Sequence, residues 1–272
     1  MTSNCHTHST WCDGADSPEE LIQTAIKAGL TDLGFSSHSP APFDPECPGI
    51  RSEAAYQRAI FALKEKYRGK ITISCGIEQD YFSPPPAAGY DYVIGSVHYL
   101  KKDGHLFSVD ESPEQLQQAL TDYYAGDSLA LVRDYYEAVL DNVQKNQPKI
   151  VGHFDLLLKF NEQNPWIAET SKSYLTIAQA ALAEVSRMIK QYGGIIEVNT
   201  GAMSRGWRRS PYPADPLLSF LHEHRTPIIL TSDAHQKKDL TAYFAETQAL
   251  LKNIGFSKIY QLQQGEFSET PL

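Results

Sequence analysis

Short apolar segments alternate with longer amphipathic segments along most of the chain. Seven of the short segments are largely apolar or β-branched, which is typical of strands that are buried on both faces. These candidate strands are Ser3–His8, Asp32–Ser37, Ile71–Glu78, Tyr92–His98, Ile150–Phe154, Ile195–Asn199 and Ile228–Ser232. The repeated order of strand and helix predicts parallel strands with right-handed crossovers, and seven such units favour a closed or distorted barrel over an open sheet.

Helix signals fall between the candidate strands. Ser17-Pro18-Glu19-Glu20 has the form of a capping box with proline at the first helical position, so it predicts a helix to about Ala28. Ser112-Pro113-Glu114-Gln115 has the same form. Further helices are predicted over Ser52–Tyr67, Leu129–Asn146, Ser171–Tyr192, Pro216–Glu223 and Leu240–Asn253. The segment Leu100–Gln147 is long for one crossover, and we expect it to be an elaborated helical connection within a single domain, residues 1–272.

Composition restricts the partners that this α/β fold could have. The chain has 272 residues, 42% of them hydrophobic, and a formal net charge of −9. It is therefore globular, and its charge argues against nucleic acid as the main partner. No apolar segment approaches the length of a membrane span, and the first candidate ligands lie too close to Met1 for a cleavable leader. Four cysteines without paired spacing favour reduced thiols, so we expect a cytoplasmic protein, with a homo-oligomer left open.

Imidazole and acidic side chains mark the carboxyl ends of the candidate strands. His6 and His8 are two residues apart on the first strand, so both project to one face, and the same spacing recurs after the seventh strand. In a barrel of parallel strands these ends converge on one face. The nine candidate ligands are His6, His8, Asp13, His38, Glu78, His98, His153, Asp233 and His235. Nitrogen and oxygen ligands without thiolate favour zinc, iron or manganese, and nine ligands are too many for one ion.

A second His-x-His pair in the chain acts as a control for the first. His222 and His224 lie in a helical pattern, where successive positions turn by about 100°, so their side chains cannot chelate one ion together. We expect both on the surface. A lone buried histidine is more often a hydrogen-bonded core residue than a ligand. The strong signal is that six of the seven strand ends carry a histidine or an acidic residue at the same topological place.

These residues also carry a resemblance to a known family. The motifs resemble, in order and over almost the whole chain, the PHP (polymerase and histidinol phosphatase) superfamily, and its histidinol-phosphatase branch is the most similar. They are Cys5-His6-Thr7-His8-Ser9, Cys12-Asp13, Ser37-His38, Gly76-Ile77-Glu78, Gly95-Ser96-Val97-His98, Gly152-His153-Phe154-Asp155-Leu156, Glu197-Val198-Asn199-Thr200, Tyr212-Pro213 and Ser232-Asp233-Ala234-His235. Two positions depart from the pattern, because Asn4 and Ser37 stand where many members have acidic residues.

The resemblance implies a distorted (β/α)7 TIM-like barrel that holds three divalent metal ions. The first metal would be held by His6, His8, Glu78 and Asp233, the second by Glu78, His98 and His153, and the third by Asp13, His38 and His235. The implied reaction is the hydrolysis of L-histidinol phosphate to L-histidinol and phosphate in histidine biosynthesis. We expect a hydroxide between the first two metals to attack phosphorus in line, with Glu78 as the bridging carboxylate.

Basic residues near the strand ends are candidates for phosphate binding. An Arg205 guanidinium in the loop after the sixth strand would complete a phosphate cage, and Lys159 is a weaker candidate. We expect Arg208 and Arg209 to be solvated surface charge. The expected catalytic residues are Glu78, Asp233, His235 and Arg205, and the expected substrate contacts are Arg205, Lys159, His38 and His98. Tyr99, Phe107 and Trp207 are candidates for an aromatic pocket, although such residues more often pack in the core.

Three other functions remain open from the residues alone. The same fold could act on a nucleotide, an oligonucleotide or a phosphotyrosine, although the net charge disfavours nucleic acid. An amidohydrolase barrel also begins with His-x-His, but it usually uses a carboxylated lysine as its bridge, and here no lysine ends a strand. A non-catalytic metal-binding module would be expected to lose ligands, and this chain retains all nine.

Overall fold

A curled and mainly parallel sheet forms the centre of the computed structural model, which describes residues 2–272. The strands are β1 (Ser3–Asn4), β2 (Asp32–Phe35), β3 (Thr72–Asp80), β4 (Tyr92–Ser96), β5 (Tyr99–Lys102), β6 (His105–Ser108), β7 (Ile150–Val151), β8 (Ile195–Asn199), β9 (Ile228–Thr231), β10 (Lys258–Gln263) and β11 (Glu266–Pro271). Nine of them form one sheet in the order β1-β2-β3-β4-β7-β8-β9-β10-β11, while β5 and β6 pair separately. All seven predicted strands are present and parallel to their neighbours.

Helices connect the parallel strands, and most begin at a side chain that caps the first turn. Ser17 and Glu20 form the predicted capping box, and Ser52, Ser112 and Ser171 each accept a backbone N–H bond from the first turn of their helices. The helices are α1 (Pro18–Lys27), α2 (Glu53–Lys66), α3 (Pro113–Tyr124), α4 (Ser128–Asn146), α5 (Lys172–Tyr192), α6 (Gly201–Ser204), α7 (Asp215–Glu223) and α8 (Phe244–Ile254). None of those in residues 2–272 is both long and apolar enough to cross a bilayer.

The sheet closes on itself at the carboxyl ends of its strands. Thr7, beyond β1, forms a parallel bridge with Ala234, beyond β9, and two backbone hydrogen bonds of 2.9 and 3.2 Å complete it. At the opposite end β10 and β11 extend the sheet past β9. There the Ser3 hydroxyl accepts a bond of 3.2 Å from the Leu262 N–H. The predicted distorted barrel is therefore confirmed, with a seam between β1 and β9.

Three segments differ from the sequence-based expectation. The predicted helical connection over Leu100–Gln147 was partly wrong, because a β-hairpin of β5 and β6 precedes its two helices. The hairpin of β10 and β11 was not predicted. The last helix begins at Phe244 and not at Leu240, after a short 3-10 turn at Lys237–Asp239. The assignment of residues 1–272 to one domain stays a prediction, which the presence of the first and last strands in one sheet supports.

The interior of the barrel changes from apolar to polar along the strands. Near the amino ends, residues from several strands pack together: Cys5, Tyr92, Ile94, Ile150, Ile195, Ile229 and Leu262. Two residues further along, the same faces of β4, β8 and β9 carry Ser96, Glu197 and Thr231, all buried. Because alternate strand residues share a face, this polar layer lies directly above the apolar one. The fold therefore supports the polar side chains on a packed base.

Glycines make room for the largest side chain in that base. A Cβ at Gly76 would overlap the ring of Tyr92, whose hydroxyl donates a 2.5 Å bond to the Cys5 carbonyl. We expect Gly76→Ala to lower the free energy of unfolding by about 1–3 kcal/mol, because a well-packed core cannot accept the extra methyl group without displacing its neighbours. Denaturant unfolding would measure this. Ser74→Ala, two residues away on β3 with a buried unpaired hydroxyl, is the control and should change stability less; equal effects would contradict the packing argument.

Candidate metal centre

The Glu78 carboxylate lies at the centre of the predicted ligands. Its Oε2 is 3.3, 3.4 and 3.0 Å from ring nitrogens of His6, His8 and His38. Its Oε1 is 2.9 Å from His153 Nε2 and 3.3 Å from His98 Nε2. Five imidazoles from four different parts of the chain therefore surround one buried carboxylate, as a bridging ligand requires.

The two other predicted carboxylates lie on either side of His8 and His235. Asp233 Oδ1 is 3.5 Å from His6 Nε2, 3.2 Å from His8 Nε2 and 3.5 Å from His235 Nδ1. Asp13, on the loop after β1, places Oδ2 3.0 Å from His235 Nε2 and Oδ1 3.6 Å from His8 Nδ1. All nine side chains predicted as metal ligands thus lie in one continuous cluster.

The geometry divides this cluster into three overlapping groups that could each hold an ion. They are His8, Asp13, His38 and His235; His6, His8 and Asp233; and His38, Glu78 and His98. Most residues of each group also belong to one of the three expected ligand sets. His8 also contributes to the Asp13 group, and His38 also contributes to the Glu78 group. His153 joins through its 2.9 Å contact with Glu78.

Several of the ligand atoms have no hydrogen-bond partner, but their spacing suits coordination of a metal ion. His6 Nε2, His8 Nε2 and Glu78 Oε2 are fully buried and have no hydrogen-bond partner, although they lie close together. Ligands that bind one tetrahedral ion at about 2.0–2.1 Å are separated by roughly 3.4 Å, and the nitrogen–oxygen distances here are similar. Unpaired buried polar atoms are costly without such a partner. The cluster is therefore suited to bind divalent ions.

Electrostatics keep the carboxylates ionised and at least one imidazole neutral. Burial opposes ionisation of Glu78, but the neighbouring His6 and His38 hold its pKa well below the usual value. Burial likewise opposes ionisation of Asp233, but Arg205, His6 and His8 together hold its pKa well below the usual value. Burial and the nearby His235 and His38 lower the pKa of His8 to about 3. A neutral imidazole and ionised carboxylates are the forms that bind metals.

Side chains behind the ligands orient them, and the sequence-based site list missed these. Glu197, on β8, is fully buried and accepts a 2.5 Å bond from His6 Nδ1. Asp80 Oδ2 accepts a 2.9 Å bond from the backbone N–H of His98. Asn4, which departs from the family pattern, donates to Ser232 Oγ at 2.8 Å and so joins the two sides of the seam. The signal for Glu197 was an acidic residue inside the otherwise largely apolar segment Ile195–Asn199.

Arg205 lies at the edge of the cluster and contacts two candidate ligands, Asp233 and His235. Its guanidinium donates to Asp233 Oδ2 at 3.1 Å and lies 3.2 Å from His235 Nδ1. Gly201 permits this approach, since a Cβ there would come within 2.8 Å of both Arg205 and Asp233. Asp233 itself adopts a left-handed backbone with φ of 48°, a conformation that few residues other than glycine tolerate.

The other basic residues have different environments. Lys159 faces the pocket but donates to the backbone carbonyl of Asp110 at 2.6 Å and to its carboxylate at 3.1 Å. The expectation that Arg208 is surface charge was wrong, because it is buried, donates to the Leu158 carbonyl and pairs with Glu169. Arg209 is 95% exposed, as expected. Arg208 is buried because the loop directs its side chain inward, and residue type alone does not indicate this direction.

The cluster forms one wall of a cavity of about 220 Å³. Other walls carry Asp80, Tyr99, Asp110, Glu111 and Lys159. The remaining aromatic candidates do not line this cavity. Phe107 stacks on Tyr123 in an adjoining groove, and Trp207 packs edge-on against Phe160.

The control pair lies outside the three ligand groups, as predicted. His224 is exposed, whereas His222 is partly buried against Phe256 and so is not fully a surface residue.

Three similar proteins are histidinol-phosphatases or probable histidinol-phosphatases. The chain is 28% identical to a probable histidinol-phosphatase of Schizosaccharomyces pombe, with 97% of this chain and 90% of that protein covered. It is 29% identical to a probable histidinol-phosphatase of Deinococcus radiodurans, with 94% and 95% covered. The fold is similar to the crystal structure of a histidinol phosphate phosphatase from Lactococcus lactis subsp. lactis, solved with zinc, L-histidinol and phosphate. That comparison has a TM-score of 0.72, 22% identity and 98% coverage of both chains.

The PHP domain profile matches residues 4–201. This match extends over most of the chain and contains seven of the nine clustered side chains. The other two, Asp233 and His235, close the same cluster from across the barrel seam. On the combined basis of that match and this geometry, the chain belongs to the PHP domain family.

Proposed function

We propose that this chain is a metal-dependent phosphomonoesterase that hydrolyses L-histidinol phosphate to L-histidinol and phosphate. The observation that carries the proposal is the convergence of nine nitrogen and oxygen ligands around Glu78 in the wall of a small cavity. Relatives over nearly the whole chain are probable histidinol-phosphatases, which supports this substrate over other phosphate esters. The proposed role belongs to histidine biosynthesis.

Three divalent ions, either zinc, iron or manganese, are proposed for the cluster. His6, His8 and Asp233 would hold one, and His153 would join His98 and Glu78 around another. Asp13, with His38 and His235, would hold a third, and these are the most solvent-exposed of the candidate ligands. Such ions, when bound, neutralise the phosphate dianion and make water more acidic. Soft thiolates are absent from the three groups of donors, which is consistent with these metals.

The side chains of this protein would then bind and orient the ester. Arg205 is directed by Asp233, so its guanidinium has a fixed orientation at the cavity edge and can donate to a phosphate oxygen. His38, His98 and His235 also line the cavity, where a bound phosphate would contact them or the ions that they hold. Lys159 is a weaker candidate, because Asp110 already neutralises its charge.

The outer wall of the cavity favours a cationic alcohol as the rest of the substrate. Burial raises the pKa of Glu111, and the nearby Asp110 and Asp44 raise it further, so these two carboxylates give this wall a negative potential. Lys159 offsets only part of it. Histidinol phosphate carries an ammonium group beside its phosphate, whereas a nucleoside monophosphate presents a neutral sugar and base. The charge therefore supports histidinol phosphate over nucleotides.

The other classes of function have less support. An amidohydrolase would need a lysine at the centre of the cluster, where this chain has Glu78, and Lys159 pairs with Asp110 instead. A non-catalytic module would not need the cavity beside the ions. A cytoplasmic location is also proposed, and four free cysteine thiols support it. Self-association through the outer helices stays a prediction.

A phosphate-release screen tests the proposed substrate. Metal-replete protein would be assayed with histidinol phosphate, nucleoside monophosphates and phosphotyrosine. We expect kcat/KM for histidinol phosphate to exceed the others by about 10- to 100-fold, because a hydrogen bond to a charged group contributes about 1.5–3 kcal/mol. Glu78→Gln protein, prepared in parallel, would exclude a contaminating phosphatase. Rapid turnover of another ester, with none of histidinol phosphate, would defeat the proposal.

A further inference from the structure

Glu197 is a fully buried acidic side chain that lies behind the metal ligands and not among them. It belongs to β8, two residues after Ile195 of the apolar interior layer, and no solvent reaches it. A buried carboxylate is costly unless hydrogen bonds compensate for its lost hydration. Its contacts therefore indicate what keeps it ionised there.

Four donors from four segments of the chain saturate this carboxylate. Oε1 accepts from His6 Nδ1 at 2.5 Å and from the Thr231 hydroxyl at 2.7 Å. Oε2 accepts from the His153 backbone N–H at 2.7 Å and from Asn199 Nδ2 at 3.0 Å. Burial opposes ionisation, but His6, His153 and the hydrogen bond from Thr231 together lower the pKa of Glu197. The carboxylate thus has no free acceptor directed at the metal cluster.

The contact with His6 determines which of its ring nitrogens is free. With its proton on Nδ1, His6 has a lone pair on Nε2, which is unpaired, buried, and 3.3 Å from Glu78 Oε2 and 3.5 Å from Asp233 Oδ1. We propose that Glu197 is a positioning residue that holds His6 in this tautomer and, through the His153 backbone, aligns a second ligand. One carboxylate would thereby couple the ligands of two neighbouring ions.

A glutamine at this position should not substitute for the glutamate. The glutamine amide nitrogen cannot take the place of Oε2, because both groups that face this atom are donors. The His153 backbone N–H can only donate. The Asn199 side chain also presents its NH2 group there, because its Oδ1 accepts from the Gly201 N–H. The nitrogen would therefore take the Oε1 side, where the Thr231 hydroxyl can rotate to accept. It would then donate to His6 Nδ1 and move the imidazole proton to Nε2. That tautomer has no lone pair toward the metal.

The inference rests only on the metal-binding part of the proposed function. A chain that binds its ions but hydrolyses a different ester leaves it intact. The test therefore measures metal binding and the protonation of His6, not turnover.

The experiment compares Glu197→Gln with Thr231→Val. Each variant would be titrated with zinc against a competing chelator, and its metal content measured by elemental analysis. Thr231→Val removes one hydrogen bond to the same Oε1 atom but leaves the carboxylate and the His6 bond in place. We expect Glu197→Gln to bind at least one zinc ion about 10- to 100-fold more weakly, and Thr231→Val to bind zinc like the unaltered protein. Equal losses in both variants would reduce Glu197 to a packing role and overturn the proposal, as would wild-type zinc binding in Glu197→Gln.

A second measurement does not depend on the folding of any Glu197 variant. Long-range proton–nitrogen NMR of the zinc-loaded wild-type protein, labelled with 15N at histidine, reports which ring nitrogen of each histidine carries the proton. The His6 signals are those that disappear in His6→Gln. We expect the His6 proton on Nδ1, and a proton on Nε2 would overturn the proposal. In a folded Glu197→Gln protein, the proton should move to Nε2.

Discussion

Glu78→Gln is expected to lose bound metal and catalytic activity together. Both oxygens of this carboxylate face imidazoles, three on one side and two on the other. An amide keeps the size of the side chain but is neutral, and one of its ends becomes an N–H donor that cannot bind a cation. We expect kcat/KM to fall about 1,000-fold or more, because a metal contributes several kcal/mol to stabilising the transition state and each 1.4 kcal/mol is tenfold.

Elemental analysis beside the kinetic assay distinguishes loss of metal from loss of a catalytic group. Glu184→Gln is the matched control, because this residue is exposed and pairs with Arg187 on the same helix. It should keep both metal and activity. A Glu78→Gln protein with full metal occupancy would exclude the bridging role, whatever its activity.

Arg205→Ala is expected to raise KM and lower kcat/KM by about 10- to 100-fold, with the metals retained. The guanidinium would donate to the phosphate, and a hydrogen bond to a charged group contributes about 1.5–3 kcal/mol. The metals should remain because Arg205 contacts Asp233 at Oδ2, whereas the nearest imidazoles face Oδ1. Steady-state kinetics with histidinol phosphate and metal analysis of the same preparation would measure both effects.

The exposed Arg209, four residues further along the loop, gives a control for the loss of positive charge. Arg209→Ala should leave the kinetics unchanged. Wild-type kinetics in Arg205→Ala would remove this residue from phosphate binding. Loss of metal in Arg205→Ala would instead indicate that its main contribution is to hold Asp233.

The strand ends could be predicted because the length of the apolar segments and the i, i+2 spacing of the ligands both agree with the fold. Apolar segments of strand length predicted β2, β3, β4, β8 and β9 closely. The i and i+2 spacing then placed pairs such as His6 and His8 on one face. The regular parts of β1 and β7 are only two residues long, yet their ligands still lie at the site. Ligand position therefore depended on strand order more than on strand length.

The two missed hairpins had signals that were present but not used. Asp103-Gly104 and Gln264-Gly265 both have positive φ at each residue, as tight two-residue hairpin turns require. A turn of this kind between short alternating segments indicates a hairpin even when charged residues such as Lys101 and Lys102 make the strands look polar. Apolar content alone does not detect strands that contain this many polar residues.

Hydrogen bonds between residues that are distant in the sequence could not be predicted from local sequence patterns. Glu197 was visible as an acidic residue in an apolar strand, but its hydrogen bonds come from residues 44 and 191 positions away. The burial of Arg208 likewise depends on Glu169 and on the Leu158 carbonyl, both on a separate loop. Contacts of this kind follow from the closure of the barrel, which residue type and spacing do not specify.

The barrel seam between β1 and β9 would link closure of the barrel to the proposed ions. Beyond β1 and β9 the backbone forms the Thr7–Ala234 bridge, and candidate ligands flank both of its residues. His6 and His8 lie on either side of Thr7, and Asp233 and His235 lie on either side of Ala234. An ion held across the seam binds the closed form and not an opened one. It therefore lowers the free energy of closure by RT ln(1 + [metal]/Kd). Local opening of the barrel at this seam would therefore become less frequent as the concentration of free metal rises.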